Sequence, residues 1–196
     1  MVVSTARMTK RARRHHLLDV AAEILLEEGP GSLTMEKLGL RAGVSKALPY
    51  AHFANSAAVQ AALLGRELAG MGGRVLDAVE GERPRAEQVG RAVHAYFDVV
   101  AERGAILSVL IAPGSRIRPA TEQRAGPTFV ADLFERWYPL SGRRAILAAE
   151  LTLGILGGAV TSWARRDAPR AVIEETVVAA VLEVGERLSA DVHAIS

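Results

Sequence analysis

The sequence predicts an all-helical protein, with a small N-terminal domain of three helices and a larger helical domain behind it. Three observations carry the prediction. Apolar residues recur at i, i+3 and i+4 spacing in almost every segment. No stretch alternates apolar and polar residues over a strand length between turn signals. Helix start and stop signals such as Thr34, Asn55 and the run Gly29-Pro30-Gly31 separate the periodic segments.

The first helix is expected over residues 10–28, with Leu17, Leu18, Ala21, Ala22, Ile24 and Leu25 on its apolar side. Gly29-Pro30-Gly31 ends it, because glycine suits the position after a helix and proline cannot continue one. Thr34 reads as the N-cap of a short helix over 35–42, with Lys37 where a capping box would place glutamate. Gly43 stops that helix. Ser45 then caps a third helix over 46–52. Asn55 caps a fourth, which carries Val59, Leu63 and Leu64 and runs to about residue 79, weakened at Gly70, Gly72 and Gly73.

A turn over 81–84 leads to an amphipathic helix over 85–103, with Val89, Val93, Tyr96, Phe97 and Val100 on one side. A short apolar piece, 105–111, is closed by Pro113-Gly114. Residues 121–138, interrupted at Gly126-Pro127, carry Phe129, Leu133, Phe134 and Trp137. Ser141 is expected to cap a helix over 143–166, and Ala168-Pro169 to start the last one, which runs to about residue 190. These elements divide the chain into a flexible basic arm over 1–9, a small helical domain over 10–55 and a larger helical domain over 56–196.

Composition narrows the function. The 196 residues are 49% apolar and include no cysteine, which excludes disulfides and thiolate metal sites. No uninterrupted apolar run reaches the roughly 18 residues of a membrane span, and no signal-peptide core follows the basic N-terminus. A cytoplasmic protein is the expectation. Net charge is only +2, but residues 1–56 hold eight Lys/Arg against five Asp/Glu. Arg7, Lys10, Arg11, Arg13 and Arg14 precede any acid, a block suited to phosphate.

The two short helices joined by Ala42-Gly43-Val44-Ser45 form a helix-turn-helix pattern. Gly43 permits the left-handed backbone of a tight turn. Val44 fills the angle between the helices. The second helix is then short enough to enter a major groove about 12 Å wide. No zinc-protease motif, phosphate-cradling glycine loop or nucleophile elbow is present, so no enzyme activity and no cofactor are expected. His15 and His16 point about 100° apart on a helix and do not share a metal ion well. The rival reading is a helical enzyme or small-molecule carrier with no DNA role, which would need neither the basic block nor the capped turn.

The run from Leu17 through Gly29, the segment Leu33-Thr34-Met35-Glu36-Lys37-Leu38, the turn Ala42-Gly43-Val44-Ser45-Lys46 and the segment Tyr50-Ala51-His52-Phe53 resemble the TetR family of transcriptional regulators. The resemblance covers roughly residues 13–60. It implies a repressor that binds a palindromic operator as a homodimer and is released by a small molecule in the C-terminal domain.

On this resemblance the expected DNA-binding residues are Arg13, Arg14, Thr34, Ser45, Lys46, Ala47, Tyr50 and His52. Lys46 is expected to reach phosphate or a guanine edge, and Ala47 to meet a thymine methyl or solvent. Tyr50 resembles the family tyrosine that meets the DNA backbone, with its ring packed on the first helix. His52 is a phosphate neighbour by analogy, and Arg7 to Arg11 form an arm for the minor groove. Two residues depart from the family pattern. Pro49 replaces an aliphatic residue inside the recognition helix and is expected to tighten or kink it. Ser56 replaces a common lysine, so one phosphate contact is expected to be missing.

A mainly apolar ligand is expected to meet Met71, Val75, His94, Tyr96, Phe97, Val100, Phe129, Leu133, Trp137 and Trp163, with His94 or Tyr96 supplying a hydrogen bond. By the family resemblance, the last two long helices pair with their copies in a dimer through Leu147, Leu151, Ile155, Ala159, Val177, Val181 and Val184. Gly154, Gly157 and Gly158 are read as allowing close helix packing.

Overall fold

The computed structural model describes residues 8–111, 125–166 and 168–193. Among them are eight helices and no strand: α1 Lys10–Glu28, α2 Met35–Arg41, α3 Ala47–His52, α4 Ser56–Ala78, α5 Arg85–Ile111, α6 Ala125–Trp137, α7 Arg143–Arg165 and α8 Arg170–His193. The described residues form two compact units. The first holds those up to Glu67 together with 103–111, and the second holds 68–102 and those from 125 onward. The first unit thus extends past residue 55 into α4.

In the first unit, Thr9 caps α1 by accepting from the Ala12 amide at 3.1 Å. Lys10 and Arg11 therefore lie in the first helical turn and not in an arm; residues 1–7 lie outside the described residues. Leu17, Leu18, Ala21, Ile24 and Leu25 of α1 are fully buried against Leu33, Leu38, Phe53, Val59 and Leu63, with Ile106 and Leu110 from the end of α5. Each such leucine or isoleucine contributes roughly 1.5–3 kcal/mol. That explains why α5 runs unbroken through Gly104, where a break after residue 103 was expected. A helical glycine costs about 1 kcal/mol, less than burying Ile106 and Leu110 returns. At the same boundary Glu67 is buried and accepts from Arg103 at 2.7 and 2.8 Å and from Arg66 at 3.2 Å, while Arg66 also reaches Asp19 at 2.6 Å.

In the second unit, α4 continues through all three expected weak points; Gly72 lies beneath the Phe129 ring, 3.6 Å from where a Cβ would sit. Gly126-Pro127 does not interrupt α6 but occupies its first turn, where a missing amide costs no hydrogen bond. Ser141 does not cap α7 through its hydroxyl. The cap position is Gly142, at φ 55, a conformation suited to glycine, and its amide donates to Glu135 at 3.1 Å. Helix α8 extends three residues past the expected end.

The core of this unit joins Val89, Val93 and Phe97 of α5, Phe134 of α6, Ala145, Ala148, Ala149 and Leu156 of α7, and Ile173, Val177 and Val181 of α8. Tyr138, just past α6, is buried in it. Its ring stacks on Phe134 at 5.8 Å, lies under the Arg85 guanidinium at 4.1 Å and donates its hydroxyl to the Leu182 carbonyl at 3.2 Å. The ring also lies directly on Gly185, where an added Cβ would fall 2.2 Å from Cζ.

Among the described residues, helix α7 stands apart by its apolar composition. An 18-residue window has mean hydropathy 1.6, long and apolar enough to cross a bilayer by length and composition, and 28% of it is buried. Glu150 interrupts its apolar run.

Candidate functional site

The turn between α2 and α3 closes by three backbone bonds. The Ala42 amide donates to Leu38 at 3.0 Å, Gly43 to Leu40 at 3.1 Å and Val44 to Gly39 at 3.0 Å. The last two form a Schellman closure, which requires a left-handed residue where Gly43 stands at φ 65. Val44 packs against the core of the first unit. Thr34 caps α2 as expected, accepting from the Lys37 amide at 3.1 Å.

Ser45 does not cap α3. The cap position falls on Lys46, with no side-chain cap. The Ser45 carbonyl instead accepts from the Leu48 amide at 3.0 Å, a tight first turn forced because Pro49 has no amide to offer. The helix is tightened and not kinked: the Phe53 amide still closes onto the Pro49 carbonyl at 2.9 Å. Pro49 itself is buried, with Cγ 3.5 Å from where a Gly39 Cβ would sit.

The outward side of this arrangement presents Ser45, Lys46, Ala47 and Tyr50, all exposed. Tyr50 is 60% exposed and is not among the side chains packed on the core of the first unit, contrary to the expected packing on the first helix. Lys46 pairs with Glu36, an acid at the start of α2 that the sequence reading did not single out. The hydrogen bond and charge of Lys46 hold the Glu36 carboxyl below its usual range, and Glu36 holds the Lys46 ammonium above its own. The signal was available, since Glu36 is the one acid between Glu28 and Lys46 and the helix start favours it. Lys37 and Arg41 are engaged elsewhere, each 2.5 Å from Glu28 and Glu27 of α1, and so fix α2 on α1.

Four basic side chains gather beside this surface. Arg14 places its guanidinium 4.7 Å over the ring of buried Phe53. His52, half-buried, is held below the ordinary histidine value, first by burial and then by the charges of Lys10, Arg13 and Arg14. The expected residues Arg13, Arg14 and His52 are therefore neighbours, with Lys10 added. His16 lies 3.4 Å from the Ala42 carbonyl and ties α1 to the turn. Ser56, where a lysine was expected from the family pattern, is buried at the start of α4.

In the second unit, Val75, Phe129, Leu133, Tyr96 and Trp137 pack in one apolar cluster. Phe97 and Trp163 pack in the adjoining one, with ring centroids 5.6 Å apart, and Tyr96 meets Phe97 edge-on at 5.7 Å. The Trp137 indole donates to Gln88 at 2.8 Å, and burial raises the Tyr96 phenol above its ordinary value. Met71 and Val100 are half-buried. His94 does not join this layer. It is 63% exposed and faces Glu174 at 3.0 Å and Asp98 at 3.6 Å. Sequence reading missed Arg170, whose guanidinium lies over Trp163 and Phe97 at 5.6 and 5.9 Å while bonding Asp98 at 2.6 Å and Glu174. Among the described residues no group of three His, Cys, Asp or Glu could hold a metal ion.

The residues expected at a dimer interface divide. Val177 and Val181 are buried within the chain and are not available to a partner; α8 turns them toward α7 and the core. Leu147 and Leu151 are 43% and 46% exposed, and Ile155, Ala159 and Val184 are half-buried. Gly154, Gly157 and Gly158 have no atom within 4 Å of an added Cβ. Leu147, Leu151, Gly154 and Gly158 share one uncovered face of α7 by their spacing.

Residues 17–63 match the bacterial regulatory proteins of the tetR family. The HTH-type transcriptional activator FasR of Mycolicibacterium smegmatis is 26% identical over 173 residues, covering 83% of this chain and 77% of that protein. Two solved structures share the fold. A tetR-family transcriptional regulator from Streptomyces coelicolor matches with a TM-score of 0.70 at 23% identity, over 95% of this chain and 87% of that one. The SmeT–triclosan complex matches with a TM-score of 0.63 at 24% identity, over 86% of this chain and 91% of that one.

Proposed function

We propose that this chain, a tetR-family transcriptional regulator by the match of its residues 17–63, is a cytoplasmic repressor that binds a palindromic operator as a homodimer and leaves it when a small, mainly apolar molecule enters the second unit. The observation that carries the reading is the exposed edge of Ser45, Lys46, Ala47 and Tyr50, held by the closed turn at Gly43 and flanked by Lys10, Arg13, Arg14 and His52. Cations of this kind neutralise phosphates and fix register, while the first residues of α3 meet base edges.

A two-fold dimer sets two copies of α3 roughly 34–36 Å apart, one turn of DNA. The uncovered face of α7, with Leu147 and Leu151 beside Gly154 and Gly158, supports self-association, because leucines there bury apolar surface and glycines let helices approach closely. The aromatic clusters around Phe97, Trp137 and Trp163 support an apolar ligand. Such a ligand releases DNA only to the extent that it binds the non-DNA-binding conformation more tightly. Triclosan, held by one structural relative, is a first probe.

Selection of bound fragments from random duplex DNA tests the reading. A palindromic site should emerge, and Lys46→Ala and Tyr50→Phe should each weaken its binding roughly five- to tenfold without altering dimer stability. Monomeric protein, or no binding to any duplex at low ionic strength, overturns it. Activation is a second reading, favoured by the activator FasR among the relatives. A reporter gene downstream of the selected site decides between the two by the direction of its change when the chain is expressed.

A further inference from the structure

Hydroxyls along the helices of the second unit bond back to the preceding turn. Thr161 Oγ1 donates to the Gly157 carbonyl at 2.9 Å, Thr176 to Val172 at 2.8 Å and Ser189 to Gly185 at 2.6 Å. A helical threonine has two good rotamers because this bond is available to it. Thr152, at the middle of α7, does otherwise. It is 5% exposed and its Oγ1 has no hydrogen-bond partner.

Its surroundings sharpen the anomaly. The other buried polar side chains among the described residues, Ser56, Gln60 and Glu67, all lie in the first unit. Tyr138, the buried phenol of the second unit, is satisfied by Leu182. Thr152 is thus the unmatched polar group of an otherwise apolar core. Valine has the same shape and would avoid the cost of burying an unpaired hydroxyl. The inward face of α7 beside it carries Ala145, Ala148 and Ala149, whose single methyls offer little bulk.

We infer that Thr152 is the polar anchor of a small-molecule site in the core of the second unit, and that the site takes a neutral, otherwise apolar compound bearing one hydroxyl or carbonyl group. This rests on the reading of the second unit as ligand-binding. A hydroxyl both donates and accepts, so either group can pair with it. A carboxylate or ammonium would need a counter-charge at the same depth. No buried residue of the second unit among those described is charged, and Arg170, over Phe97 and Trp163, is already bonded to Asp98 and Glu174.

A matched pair of probes tests the inference: 4-hexylphenol and hexylbenzene, which differ by one hydroxyl. Both tryptophans of the chain, Trp137 and Trp163, lie in the second unit, so quenching of intrinsic fluorescence in the full-length protein reads binding there. Thr152→Val should weaken 4-hexylphenol about fivefold relative to hexylbenzene, the value of one neutral hydrogen bond, and Thr152→Ser should keep the wild-type ratio. Thr152→Val should also melt no lower than wild type, since it removes an unpaired hydroxyl. If the valine variant fails to fold, Thr152→Ala against Thr152→Ser makes the same comparison. A substitution that shifts both probes equally, or neither, overturns the role of Thr152 and leaves ligand binding standing. Failure of wild type to bind either probe overturns the inference together with the ligand half of the proposed function, while operator binding, read on DNA, stands separately.

Discussion

Gly185→Ala should be among the most damaging single-methyl changes this chain can suffer. The added Cβ would fall 2.2 Å from Tyr138 Cζ, 2.3 Å from Cε2 and 2.8 Å from Cδ2, where ordinary contact begins near 3.4 Å. The ring would have to retreat by more than an ångström. Fully buried Phe134 stacks beside it, and the Tyr138 hydroxyl is tied to the Leu182 carbonyl on the same helix as Gly185. Overpacking of this kind costs about 1–3 kcal/mol, and expelling a buried aromatic ring about 3–5 kcal/mol. Alanine returns about 1 kcal/mol of helix propensity. The net loss should be about 2–4 kcal/mol, or roughly 5–15 °C in Tm for a chain of this length. Thermal melts by circular dichroism at one fixed protein concentration give the value. Gly70→Ala, mid-helix in α4 with nothing within 4 Å, is the matched control and should gain about 1 kcal/mol. In a Tyr138→Ala background, Gly185→Ala should lose most of its effect. Equal behaviour of Gly185→Ala and Gly70→Ala, or an undiminished penalty without the tyrosine ring, would refute the packing described here.

Three further outcomes follow from the charges. Glu36→Gln removes the acid that competes with DNA for Lys46 and should tighten duplex binding roughly two- to fivefold at low salt in fluorescence anisotropy; weaker binding would show that Glu36 orients Lys46. His52 is held low by burial and by Lys10, Arg13 and Arg14, and a phosphate beside those cations would favour its protonated form. Bound protein then takes up a proton, so affinity should rise as pH falls from 8 to 6 at constant ionic strength, and His52→Gln should flatten that slope. Burial pulls the Glu67 carboxyl up, but Arg103 and Arg66 outweigh it and hold the group below the ordinary glutamate value. Its contribution is present above that ordinary value and lost as pH falls through the lowered one. Glu67→Gln should therefore cost about 1–3 kcal/mol near pH 7 in urea unfolding and converge with wild type at low pH.

Much of the first unit was legible because its signals are local. The limits of α1, the cap at Thr34 and the cap at Asn55, which accepts from the Ala58 amide at 2.9 Å, depend on residues adjacent in sequence. Ser45 and Ser141 misled for a related reason. A serine caps only if the backbone leaves its hydroxyl facing the amides, and Pro49 and Gly142 settled those backbones differently. Gly104 was read as a break because its propensity is visible and the burial of Ile106 and Leu110 is not. Apolar spacing on α8 showed that Val177 and Val181 share a face but not whether that face meets this chain or another. The ion pair of Arg170 with α5 joins residues far apart in sequence and had no periodic signature.

The seat of Pro49 on Gly39 bears on how much disorder DNA must remove. A six-residue helix in isolation would be mostly unwound in water. Here one ring fixes a backbone angle in the folded and unfolded chain alike, and its contact with α2 holds the turn in place before any duplex arrives. Little freedom is then left to lose on docking, so more of the interaction energy remains as affinity.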